Sequence, residues 1–135
     1  MAKDDDGYTL MEMLVVVALI AVLVAVLTPT LMSELARGKV KAARLQMQTL
    51  STAVESYRAD VGRPPSAAEG LKALVVAPDG AQGWLGPYLR DESALNDPWG
   101  RPVAYDLAND QVELTSLGAD GKPGGKSVNA DIVVH

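Results

Sequence analysis

Residue types able to do chemistry are unevenly supplied in this chain. It has no Cys, and its one His, His135, is the last residue. That removes thiol nucleophiles, disulfides and sulfur-ligated zinc or iron-sulfur centres, and it leaves no His cluster for a metal. Carboxylate chemistry remains. Glu12 stands at the edge of a long apolar run, where an ionised group costs about a few kcal/mol unless it finds a partner or stays at an interface. Asp120 and Asp131 bracket a glycine-rich loop, and carboxylates with main-chain carbonyls are the ligands a hard cation such as Ca2+ prefers. The spacing is not that of an EF-hand, because the D-x-[DN]-x-[DN]-G pattern is absent. From the residues alone, solvation and metal binding both stay open for this pair. The same loop nearly matches the phosphate-binding pattern G-x-x-x-x-G-K-[ST], with Asp120 in place of the first Gly and Lys126-Ser127 at its end. A phosphate cradle needs a helix N-terminus after Lys-Ser, whereas a β pattern follows here. Nucleotide binding is rejected on that ground. No acid/base pair stands in a recognisable site, so the expectation is a protein without enzymatic activity.

The elements that must position these residues follow from composition. A length of 135 residues allows one domain, or a small domain with an appendage. Between Met13 and Ser33 no residue is charged, and Met13 to Leu27 is apolar at every position. As a helix this stretch extends about 31 Å, enough to cross a bilayer. A cleaved secretory signal fits poorly, since Lys3-Asp4-Asp5-Asp6 precedes the run and no small-x-small site follows it. Beyond Ser33 the pattern becomes amphipathic. Ala43, Met47, Leu50, Val54, Tyr57 and Val61 recur at helical spacing, with Lys39, Lys41, Arg44, Gln48, Ser51 and Arg58 elsewhere on the surface. One helix from about Tyr8 to Val61 is predicted, kinked at Pro29 or Gly38 and ended by Gly62-Arg63-Pro64-Pro65.

The remainder reads as a small α+β head, residues 62–135. Ser66-Ala67-Ala68-Glu69 has the form of a capping box and predicts a short helix through Leu71, Leu74 and Val75, stopped by Pro78. Residues 79–100 read as loop, anchored by Trp84, Leu85, Tyr88, Leu89 and Leu95. Strands are expected over Pro102–Leu107, Gln111–Ser116 and Asp131–Val134, the first two joined by a turn at Ala108-Asn109-Asp110. A head this small, lacking a disulfide, needs another staple, and a cation in the loop is one option. The formal net charge of -5, without a basic stripe interleaved with aromatics, excludes nucleic acid as a partner.

The segment Gly7-Tyr8-Thr9-Leu10-Met11-Glu12, followed by an unbroken apolar helix and then Pro29, resembles the class III signal of type IV pilins and type II secretion pseudopilins. The resemblance implies a pilin-like fold: a long N-terminal helix packed on a head with a short helix and a small antiparallel sheet. It implies that residues 1–7 are a prepilin leader, 8–33 a transmembrane and filament-core helix, and 34–61 its amphipathic continuation. It further implies that a prepilin peptidase cuts between Gly7 and Tyr8 and N-methylates Tyr8. Glu12 would then pair with the freed amine of a neighbouring subunit, which agrees with the need of a buried carboxylate for a counter-charge.

The series Gly62-Arg63-Pro64-Pro65, Glu69-Gly70-Leu71, Leu74, Trp84, Tyr88-Leu89, Asp97-Pro98-Trp99-Gly100, Pro102, Tyr105 and Ser116-Leu117-Gly118-Ala119-Asp120-Gly121 is similar, in that order, to the major pseudopilins of type II secretion systems. That similarity implies a structural subunit of a helical homopolymer, a periplasmic filament that helps export folded proteins across the outer membrane. The partners implied are minor pseudopilins, an inner-membrane assembly platform and the membrane itself. The location implied is the inner membrane, single-pass, with the head in the periplasm. The positive charges Arg37, Lys39, Lys41 and Arg44 after the span would by themselves favour the opposite orientation; the family topology is the one expected. The resemblance also implies a structural Ca2+, with side-chain ligands Asp120 and Asp131, carbonyl donors Leu117 and Lys122, and Ser127 and Asn129 as further candidates. A membrane-tethered module for DNA or ligand uptake, or for adhesion, is the alternative. It would need a basic groove, yet acidic residues outnumber basic ones from Asp60 onward.

Overall fold

Little between Leu10 and Val61 interrupts a helix, and one forms over that whole range in the computed structural model, which describes residues 7–135. Residues 1–6, which make up most of the expected leader, lie outside the described residues. Helix α1 (Leu10–Val61, 52 residues) runs unbroken through Pro29 and Gly38, where the sequence predicts a kink. A proline forfeits one i−4 hydrogen bond, but the apolar residues on either side keep their own bonds, and apolar spans tolerate such a gap. The helix begins at Leu10, two residues later than expected. Thr9 keeps a non-helical position because its hydroxyl caps the helix, accepting from the Glu12 amide at 3.1 Å.

The chain divides into two compact units between Leu35 and Ala36. In the first, every described side chain is exposed, and α1 there is long and apolar enough to cross a membrane. In the second, Ala36–His135, one face of α1 is buried through Ala43, Met47, Leu50, Ala53, Val54 and Tyr57. Full burial of a side chain such as Leu50 or Met47 contributes about 1.5–3 kcal/mol each. The helix stops where Gly62 adopts a left-handed φ of 85° and Pro64-Pro65 cannot donate main-chain hydrogen bonds.

The reciprocal capping box is present: Glu69 donates its amide to Ser66 Oγ at 3.2 Å, and Ser66 donates its own to Glu69 Oε2 at 2.7 Å. The element that follows is a 3-10 segment, Gly70–Leu74, rather than an α-helix. It is too short to repay α-helix nucleation, and it is held by burying Leu71, Ala73 and Leu74. Within the expected loop, Glu92–Leu95 forms a second 3-10 segment, capped by Asp91 Oδ1 accepting from Ser93 N at 2.8 Å. Leu89 is buried, and Trp84, Tyr88 and Leu95 pack against the core as expected, but Leu85 is 77% exposed and anchors nothing. Its neighbours explain this. Trp84 donates Nε1–H to the Ala73 carbonyl at 2.9 Å, and Tyr88 donates its hydroxyl to Asp60 Oδ2 at 2.8 Å, so the ring pair turns inward and Leu85, in the short link between the two rings, faces out.

The sheet is an antiparallel meander of β1 (Ala104–Ala108), β2 (Gln111–Ser116) and β3 (Ile132–Val134). Its hairpin pairs Ala108 with Gln111 across Asn109 and Asp110, whose φ values of 51° and 66° are those of a two-residue type I′ turn. Leu114 and Ile132 face the core. Ser116 pairs with Ile132, so both ends of the glycine-rich loop leave the sheet from adjacent strands.

Candidate functional site

Two places carry the residues singled out by the sequence. At the N-terminal one, Gly7, Tyr8 and Thr9 belong to no regular element and are exposed, Tyr8 at 76%. The Gly7–Tyr8 peptide bond therefore lies in exposed chain outside any regular element, immediately ahead of a capped helix. Thr9 sets the start of α1, since its carbonyl also accepts from Met13 N at 3.1 Å. Glu12 thus occupies the first turn, where a negative charge meets the positive end of the helix dipole. Sequence reading passed over Thr9, although Thr9-Leu10-Met11-Glu12 has the same S/T-x-x-E form that identified the box at Ser66.

The second place is the loop from Leu117 to Asp131. Gly118 and Gly125 both approach the main chain of Asn129: a Cβ at Gly118 would lie 2.8 Å from the Asn129 carbonyl oxygen, and one at Gly125 would overlap it. Both glycines have positive φ, 65° and 91°, so the loop closes on Asn129 only because these positions lack a side chain. Ala119 N donates to the Val128 carbonyl at 3.0 Å, and the Ser127 carbonyl accepts from Ala130 N at 3.3 Å. The Asp120 carboxylate accepts from Lys122 N at 3.1 Å, forming an Asx turn, and Asp131 Oδ2 accepts from Gly124 N at 2.8 Å. Ser127 lies in a short 3-10 turn, Ser127–Asn129, with a left-handed φ of 57°.

Asp131 Oδ1 is buried and has no hydrogen-bond partner. A buried carboxylate oxygen without a partner is costly, and a coordinated cation removes that cost. The donor set is of the hard-oxygen kind: two carboxylates, a hydroxyl and main-chain carbonyls. These residues fit Ca2+. Among the described residues no three acidic or histidine side chains form a group that could hold a metal, so most ligands of a cation here would be carbonyl and hydroxyl oxygens.

A third group joins the helix break to the 3-10 segment. Arg63 binds Glu69 through two guanidinium nitrogens at 2.7 and 2.8 Å. Hydrogen bonding from Arg63 holds the Glu69 carboxyl down to about 2, against the desolvation that would raise it. Tyr105 donates its hydroxyl to the Pro65 carbonyl at 2.6 Å, and burial pushes its phenol up to about 12.

Comparisons with known proteins bear on the fold and on the N-terminal motif. Residues 30–135 match the family model described as "Type II secretion system (T2SS), protein G", and residues 3–28 match the "Prokaryotic N-terminal methylation motif". The type II secretion system core protein G of Xanthomonas campestris is 39% identical over 128 residues, covering 93% of this chain and 87% of that protein. The protein of the same name from Pseudomonas aeruginosa is 36% identical over 136 residues, covering 96% and 94%. The crystal structure of the major pseudopilin from the type 2 secretion system of enterohaemorrhagic Escherichia coli superimposes with a TM-score of 0.61 at 25% identity, over 78% of this chain and 93% of that one. With the capped apolar helix, the small antiparallel sheet and the glycine-rich loop already in place, this chain belongs to the type II secretion system protein G family of pseudopilins.

Proposed function

We propose that the chain works as a structural, non-catalytic subunit of a type II secretion pseudopilus and assembles through the first half of α1. The observation that carries this reading is the apolar surface of α1 from Leu10 to Met32, exposed throughout and carrying Glu12 as its one charged residue. A stretch of that kind needs a cover, first lipid and then the same stretch of other subunits. In a filament Glu12 would be withdrawn from water and would need a counter-charge, which the amine of a processed Tyr8 on a neighbouring copy supplies. A prepilin peptidase would make that terminus by cutting after Gly7 and methylating Tyr8. The inner membrane is the compartment this reading assigns, with the head in the periplasm, and minor pseudopilins and an assembly platform are its partners. Asp120 and Asp131, with the Leu117 and Lys122 carbonyls and with Ser127 and Asn129, would hold Ca2+, which would neutralise the two carboxylates and cross-link the loop. Family membership favours the filament over a tethered binding module. Replacing Glu12 by Ala is expected to abolish pseudopilus assembly while the chain still fractionates with membranes; normal filaments from that variant would overturn the role of Glu12.

A further inference from the structure

Asp97 is a buried carboxylate that neither the filament nor the calcium reading uses. Its Oδ1 accepts from the main-chain amides of Trp99 at 3.0 Å and Arg101 at 2.9 Å, and its Oδ2 accepts from the Ser116 hydroxyl at 2.9 Å. The Asp97-Pro98-Trp99-Gly100 turn is thereby fastened to the end of β2, where the glycine-rich loop begins. Arg101 carries the connection into the loop. Its Nε lies 3.5 Å from Asp97 Oδ2, its Nη2 donates to the Gly118 carbonyl, and its guanidinium carbon sits 5.6 Å from the centre of the Trp99 ring. The guanidinium also fills the space that a Cβ at Gly121 would occupy. One planar group therefore touches the chain on both sides of Asp120.

We propose that Asp97 and Arg101 are positioning residues for the cation loop: together they hold the Gly118–Gly121 segment in its binding form before any metal arrives. Part of this inference, that the ordered loop binds Ca2+ more tightly, rests on the calcium reading above. A loop rich in glycine loses much backbone freedom when it is fixed. Ordering it in advance removes that cost from the binding step. A lone guanidinium beside a cation site would repel the cation, but Asp97 offsets its charge within the same pair. The planar fork is what lets one side chain reach the carboxylate and the loop carbonyl together, and lysine cannot reproduce it.

Hydrogen exchange and calorimetric titration with CaCl2, both on the full chain in detergent micelles, test the proposal. Arg101→Gln is expected to speed exchange of the Ala119 and Gly124 amides about tenfold or more in metal-free protein. The Leu114 amide in the sheet should be unaffected, and Ca2+ binding should weaken about 10–100-fold. Arg101→Lys should restore part of both effects. Unchanged loop exchange in Arg101→Gln, equal acceleration of Leu114, or a lysine variant indistinguishable from the parent would each overturn the clasp. A parent chain that binds no Ca2+ would instead overturn the calcium reading, and loop exchange in metal-free protein would still decide whether the clasp orders the loop.

Discussion

Glu69 shows how much one carboxylate does in a head with a small core. It closes a capping box with Ser66 and a bidentate pair with Arg63, and the pair holds its titration at about 2 rather than the ordinary 4.5. A carboxyl depressed on folding contributes stability that is complete above its unfolded value and is lost as pH falls toward its folded value. Thermal unfolding of the parent chain is therefore expected to shift downward between about pH 4.5 and about 2. Glu69→Gln should begin lower and stay flatter across that window; parallel curves for the two proteins would contradict the assignment. The S-x-x-E spacing made Glu69 legible in the sequence, but its bond to Arg63 was not, because nothing in Gly62-Arg63-Pro64-Pro65 says which way the guanidinium turns. The same holds for Asp131. Its place at the end of the loop is readable, while the burial of one of its oxygens is a product of packing.

At the scale of elements, α1 carries the head. The residues Ala43, Met47, Leu50, Val54 and Tyr57 were legible from helical periodicity alone and form the buried stripe, with Ala53 added beside them. Leu50 is fully buried, and Leu50→Ala is expected to destabilise the head by about 2–5 kcal/mol in chemical unfolding of the full chain in micelles. Leu45, on the same helix but 66% exposed, should tolerate Ala within about 0.5 kcal/mol. Equal costs at the two sites would mean that the stripe is misplaced. Non-periodic segments were harder to read. Leu85 looks like its apolar neighbours in sequence, yet the hydrogen bonds of Trp84 and Tyr88 decide which side chains turn inward.

At the scale of the whole molecule, one continuous helix serves two environments. Its first half is apolar on every side and its second half on one side only, a difference set by charge distribution along the chain. Processing before Tyr8 would remove Lys3 and three Asp, moving the formal side-chain charge from -5 to -3. Mass analysis of the protein recovered from membranes of cells with active prepilin peptidase is expected to find N-methylated Tyr8 as the first residue. A chain still beginning at Met1 would remove the source of the amine assigned to Glu12.

The sequence by itself determined the long helix, its apolar and amphipathic halves, the hairpin and the family resemblance, since each rests on local spacing or on an ordered set of motifs. Only the tertiary structure decided that Leu85 faces outward, that one Asp131 oxygen is left unpaired, and that Arg101 reaches the loop around Asp120. Periodicity records which face of an element is apolar. The direction of a polar side chain depends on partners distant in sequence, and only folding brings those within reach.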